Sequence, residues 1–179
     1  MIDDALLDAA TTALQEVGWQ RLTLERVALA AGVSRVTLWR QGVRLEQIIE
    51  GLLMRITTDY RAMLWPTLTA EGTGRERLKA ALVALCDVAD RHLTLLLATD
   101  TIFHEARILT QTDFTEPLAR LLRDGMSDGS IRAIDQHEMA SVLFNTTCWT
   151  YVHLRAKHQW SPERVRMLLL DLVLNGLMP

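Results

Sequence analysis

Cysteine is scarce in this chain: Cys86 and Cys148 are the only two in 179 residues, far apart and outside any CxxC or His-rich ligand spacing. That excludes a disulfide-stapled scaffold and a zinc-finger type of site, and leaves two helix-buried, reduced thiols as the expectation. Proline and glycine are also few, 4 and 9, and strands of alternating polarity are absent. The long stretches between these breakers carry apolar residues at helical spacing, so the fold class is all-α. No excess of one charge exists either, with 19 Lys and Arg against 22 Asp and Glu. A polyelectrolyte tail for nucleic acid is therefore excluded, and DNA binding, if present, must rest on a local basic face. No apolar run approaches the roughly 18 residues that span a bilayer, and the opening MIDDALLDAATTALQ is acidic where a signal peptide needs positive charge. A soluble, cytoplasmic protein without a membrane partner is expected.

What is present is hydrophobic residue content of 49%, enough for a substantial core. Periodicity predicts about nine helices, near residues 3 to 17, 24 to 31, 34 to 41, 45 to 64, 75 to 98, 101 to 110, 115 to 126, 136 to 158 and 162 to 175. Gly18 is a candidate C-cap, Thr23 and Ser34 are candidate N-caps, and Ser161-Pro162-Glu163 reads as a helix start. Pro66 and the stretch from Gly72 to Gly74 mark one break, and Gly125 with Gly129 another. Residues 1–46 are expected to form a small N-terminal domain, and residues 47–179 a larger helical bundle for ligand binding and dimerisation.

The run LERVALAAGVSRVTLWRQ over residues 24–41 carries the chemistry. Leu24, Val27, Ala28, Ala31, Val33 and Leu38 can face inward together across two short helices joined at Gly32, a helix-turn-helix pattern. Between residues 21 and 44 stand five arginines, Arg21, Arg26, Arg35, Arg40 and Arg44, against Glu25 alone. On the second short helix Arg35, Val36, Thr37, Trp39, Arg40 and Gln41 are the exposed candidates, with guanidinium groups suited to guanine edges and phosphates. The hydroxyls of Thr23 and Ser34 suit phosphate contacts.

Together with the preceding helix ending at Val17-Gly18, this run resembles the tetracycline-repressor (TetR) family over about the first 50 residues. The resemblance implies a homodimeric repressor that binds a palindromic operator on double-stranded DNA and is released by a small-molecule effector. It places Arg35, Val36, Thr37, Trp39, Arg40 and Gln41 at DNA-facing positions and Thr23 at a phosphate. Three residues depart from the family pattern: Trp39 stands where Tyr is usual, Gly42 where a bulky apolar residue is usual, and Leu45 where a phosphate-contacting Lys is common. Arg44 is the residue that can take over that last charge. Gly42 and Leu45 also motivate an alternative, a helical ligand-binding or interaction module whose helix-turn-helix has degenerated.

Beyond residue 50 the chain is read from physics. In the last helix Val165, Leu168, Leu169, Leu172 and Val173 form one apolar face, while Met167, Leu170 and Leu174 form a second, assigned to a dimer interface. An effector pocket would draw on Tyr60, Met63, Leu64, Trp65, Phe103, His104, Phe144, Trp149, Tyr151 and His153, which mix apolar bulk with polar tips. Asp100 and His104 stand four apart with Glu105 adjacent, so a metal-assisted site is conceivable if the segment is helical, but no metal and no cofactor is expected. Paired ExxH motifs, a phosphate-binding Gly loop and a nucleophile with a base are all missing. The chain is therefore not expected to be an enzyme.

Overall fold

The computed structural model describes residues 2–102 and 111–175, and among them every regular element is helical. The elements are α1 (Asp4–Val17), α2 (Leu24–Ala30), α3 (Arg35–Arg40), α4 (Leu45–Thr69), α5 (Gly74–Arg91), α6 (Leu93–Ile102), α7 (Gln111–Ser127), α8 (Gln136–Ala156) and α9 (Pro162–Asn175), with a 3-10 turn at Trp19–Arg21. The chain divides into two compact units, Met1–Ile56 with Thr94–Ile108, and Thr57–Leu93 with Leu109–Pro179.

In the first unit, Asp3 starts α1 by accepting a hydrogen bond from the Leu6 amide at 2.9 Å. The helix is amphipathic and buries Leu6, Leu7, Ala10, Ala13 and Leu14. It packs on α2, and α2 packs on α3. The first turns of α4 add Ile48, Leu52 and Leu53 to the buried set. At Gly51 a β-carbon would stand 2.8 Å from Leu7 Cδ2, so α1 and α4 approach closely there. Arg55 extends the contact by pairing with Asp4 at 2.9 Å and Asp8 at 2.7 Å.

In the second unit α5, α7, α8 and α9 form a bundle in which α7 packs on α5 and α8, and α9 on α5 and α8. Its centre holds Leu78, Leu82, Leu118, Leu121, Leu122, Ala140, Tyr151 and Val165, all of them fully buried. A complete capping box at Thr73 and Glu76 opens α5. The Gly74 at its start is where α5 and α7 meet, because an added β-carbon would lie 2.1 Å from the Gly125 backbone nitrogen. Three ion pairs tie the helices together: Arg77 to Asp124 at 3.0 Å, Arg155 to Asp90 at 2.6 Å and Arg166 to Asp87 at 2.6 Å. Cys86 and Cys148 are buried and free, and burial pushes both thiols up to about 12.

Several boundaries differ from the sequence expectation. α4 continues through Pro66 to Thr69. Pro66, like Ala62 one turn before it, sits on the exposed side, and the proline costs the helix one hydrogen bond, while the Thr67 hydroxyl donates to the Leu64 carbonyl at 2.7 Å. The helix expected over 75 to 98 is broken at His92, whose backbone caps α5 and whose ring is held by Asp59 at 2.8 Å. Gly125 lies inside α7 rather than in a break, as a close-packing residue. The helix expected over 101 to 110 falls mostly outside the described residues.

Candidate nucleic-acid interface

Two six- and seven-residue helices cannot hold themselves in water, so their ends decide whether the helix-turn-helix forms. Thr23 opens α2 by accepting from the Arg26 amide at 3.3 Å. Ser34 opens α3 by accepting from the Thr37 amide at 3.1 Å, and its hydroxyl is also hydrogen-bonded to that of Thr37 at 2.8 Å. Both helices close in the same way. After α2, Gly32 has φ 68°, its amide donates to Leu29 at 3.1 Å, and the Val33 amide donates to Ala28 at 3.0 Å. After α3, Gly42 has φ 72°, its amide donates to Trp39 at 3.0 Å, and the Val43 amide donates to Leu38 at 3.0 Å.

This is the Schellman closure used twice, and it needs a residue that is comfortable in the left-handed region. Gly42 therefore has a structural role that its place in the family pattern hides. The buried apolar contribution at this corner comes from Leu38 and the following Val43. The chain then enters α4, whose start is fixed by the Gln47 side chain accepting from the Arg44 amide at 3.0 Å. Gln47 was not singled out from sequence, although its position three residues into the helix is a legible capping signal.

One side chain of α3 is buried, Leu38 at 4% exposure. At 100° per residue the direction opposite Leu38 falls between Val36 and Arg40. Arg35 and Trp39 lie on one flank of that line, and Thr37 and Gln41 on the other. All six are exposed, Trp39 by 73% and Val36 by 54%, as are Thr23, Ser34 and Arg44. Among the described residues, Arg26, Arg35, Arg40 and Arg44 have no carboxylate partner. Arg21 instead donates to the Val17 carbonyl at the end of α1, at 3.1 Å. The face is thus a set of unneutralised guanidinium groups around a short apolar ridge. Val33 is a correction: it is 40% exposed rather than inward, because the residue after Gly32 has left the helical register that buries Val27 and Ala28.

The expected effector residues are distributed differently. Tyr60 and Phe144 come together in an edge-on contact at 6.4 Å, and Phe114, which the sequence reading missed, completes the cluster at 5.1 Å from Tyr60 and 5.3 Å from Phe144. The Tyr60 hydroxyl donates to the Phe114 carbonyl, and burial holds its pKa far above the ordinary tyrosine value. Leu64 is buried, and Met63 and Trp149 are half-buried. Tyr151 is buried with its hydroxyl 3.2 Å from Asp90. Trp65, by contrast, is 67% exposed, and His153 is exposed with its ring against His158 at 5.2 Å. Phe103 and His104 lie outside the described residues, as does the side chain of Asp100. Among the described residues no group of three metal-ligating side chains occurs. Thr147, also missed, is fully buried, and its hydroxyl has no hydrogen-bond partner among the described residues.

The two faces of α9 are rotated from the sequence assignment. Leu170 and Leu174 are buried together with Val165 and Leu169, whereas Leu168 and Leu172 are exposed along with Met167. The buried arc runs from Val165 round to Leu174 because α9 lies against both α5 and α8, so more than half its circumference is occupied. Of the three residues assigned to a dimer contact, only Met167 remains at the surface.

Residues 6–41 match the family model described as bacterial regulatory proteins, tetR family, a span from α1 to the end of α3. The transcriptional repressor KstR2 of Rhodococcus jostii is 26% identical, over 96% of this chain and 89% of its own. Residues 6–41 thus form a TetR-type helix-turn-helix domain. An uncharacterised HTH-type regulator of Mycobacterium tuberculosis is also 26% identical, over 77% of this chain and 74% of its own. Among solved structures, SmeT, the repressor of the Stenotrophomonas maltophilia efflux pump SmeDEF, superposes with TM-score 0.77 at 20% identity, covering 100% of this chain and 91% of that one. Bacillus subtilis FadR, solved with stearoyl-CoA, superposes with TM-score 0.79 at 18% identity, covering 97% and 98%. These likenesses give the TetR fold to the whole chain, including the bundle for which sequence similarity is weakest. No described helix is long and apolar enough to cross a membrane.

Proposed function

We propose that this protein is a cytoplasmic, homodimeric repressor of the TetR family that binds a palindromic operator through α3 and leaves it when a small, largely apolar effector binds the bundle. The observation that carries the DNA side is α3 itself, anchored by Leu38 and presenting Arg35, Val36, Trp39 and Arg40 outward without any neutralising carboxylate. Thr23, Ser34, Thr37, Gln41 and Arg44 serve as phosphate and sugar contacts that set the register. Functionally, residues 1–46 are the DNA-binding part and the remainder the regulatory part.

Two copies are needed to place two such helices about 34 to 36 Å apart on successive turns of DNA. Leu168, Leu172 and Met167 on α9, with Val142 at 54% exposure on α8, are the apolar surface proposed for that pairing. On the regulatory side, Tyr60, Phe114 and Phe144 with Met63, Leu64, Trp149 and Tyr151 supply apolar and aromatic walls, and the unpartnered Thr147 hydroxyl supplies a polar contact. The FadR neighbour's stearoyl-CoA favours acyl-chain molecules as the first compounds to screen. An effector that prefers the dimer with the wrong helix spacing lowers operator affinity by linkage.

Fluorescence anisotropy with duplexes from the promoter beside its own gene tests the reading. Arg35→Ala and Arg40→Ala should each lower affinity by about 1–3 kcal/mol where they read a base. Loss of a phosphate contact should instead flatten the salt dependence. Salt-insensitive binding, or affinity unchanged in the double variant, refutes it.

A further inference from the structure

We infer that Val36 and Arg40 read bases from α3, and that each operator half-site carries a thymine and a guanine about two base-pair steps apart. The inference rests on the DNA-binding reading above and adds the identity of what is read.

Three observations carry it. First, Leu38 is buried at 4% exposure, and the two side chains that point away from it are Val36, 100° per residue back along one side, and Arg40 on the other. Whatever enters a groove first is this pair. Second, on the flank beside Arg40 the Thr37 hydroxyl is engaged with Ser34 at 2.8 Å, and Gln41 is the C-cap whose backbone turns into Gly42. Third, Val36 is 54% exposed, and α3 carries no acidic residue. An isopropyl group cannot hydrogen-bond, so the only base feature it distinguishes in the major groove is the thymine 5-methyl group. Arg40, with a guanidinium that has no carboxylate partner among the described residues, matches the paired acceptors of guanine.

The spacing follows from geometry. Val36 and Arg40 are four residues apart, about 6 Å along the helix axis, against about 3.4 Å per base pair, which places their contacts about two steps apart when α3 lies along the groove.

The test uses the full-length protein and duplexes enriched from a random pool. Each thymine of the enriched half-site is then replaced by deoxyuridine, which removes only the methyl group. Wild-type protein should lose about fourfold in affinity at one thymine and not at the others, the worth of one buried methyl. Val36→Ala should bind the original duplex about as weakly as wild type binds the deoxyuridine duplex, and should be indifferent to the replacement. Arg40→Ala should lose its preference for guanine about two steps away, by roughly five- to a hundredfold. Circular dichroism melts matching wild type establish that both variants fold. A deoxyuridine penalty that persists in Val36→Ala, or an enriched motif without the thymine and guanine pair, overturns this assignment while leaving DNA binding intact. Failure to enrich any duplex overturns the DNA-binding reading and the assignment with it.

Discussion

Replacing Gly42 by alanine tests whether the corner between α3 and α4 depends on backbone conformation or on side-chain space. Gly42 holds φ 72°, and a β-carbon added there meets nothing within 4 Å. The steric contribution to the cost is therefore nil, and what remains is forcing an L-residue into the left-handed region, about 1–2 kcal/mol. That cost falls on a six-residue helix whose last turn is closed by the Gln41, Gly42 and Val43 amides. In urea unfolding of the full chain, Gly42→Ala should lower stability by about 1–2 kcal/mol, equivalent to roughly 2–8 °C in a melt. Gly42→Asn, which tolerates the same conformation, should lose clearly less. Operator affinity should fall further than global stability, because α3 is the element loosened. Equal losses for Ala and Asn, or an Ala variant indistinguishable from wild type in both assays, would show that the left-handed closure is not what Gly42 provides.

Other perturbations have different signatures. Gly74→Ala should destabilise by about 3 kcal/mol or more, since its β-carbon would meet the Gly125 backbone, whereas a β-carbon at Gly125 first meets the Ile131 side chain, so Gly125→Ala should be partly rescued by Ile131→Val; paired thermal melts check the contrast. On acidification, Asp128 titrates below its ordinary value because the Ser130 hydroxyl and the Gly74 and Ser130 amides bond its carboxylate, and Asp59 does so because His92 and Arg91 outweigh the effect of burial. Both depressions add stability above the ordinary carboxylate pKa that is lost as pH falls through the folded value, so melts from pH 6 down to pH 3 should steepen below about pH 4–5, and Asp128→Asn should flatten that decline. Leu168→Glu with Leu172→Glu should shift sedimentation from dimer to monomer without lowering helix content, while Leu170→Glu should unfold the bundle. Thiol titration at pH 7 should find Cys86 and Cys148 unreactive until the chain unfolds, since both are buried and raised to about 12.

The helix-turn-helix was legible because each step in it is local. Thr23, Gly32 and Ser34 are capping and turn residues whose effect reaches three or four positions, and Leu38 against its exposed neighbours follows from a 100° step. Gly42 was visible only as a departure from a pattern, although a glycine between Gln41 and a buried Val43 carries the same signal as Gly32 between Ala31 and Val33. In the bundle, periodicity located helices but not their rotation. α9 is apolar nearly all round, so no single direction in its sequence says which side is inward, and the assignment of Leu170 and Leu174 against Leu168 and Leu172 reversed once α5 and α8 were in place. Phe114 matters through partners far along the chain, which no local window contains.

The sequence alone determined that this protein is all-helical, that a helix-turn-helix stands near its N-terminus, and which side of α3 is free, because those properties depend on residues within a turn or two of one another. Only the tertiary structure decided which face of α9 stays exposed and that Gly74 and Gly125 are contact points between helices. Those depend on what is packed against each position, and packing partners are set by the whole chain.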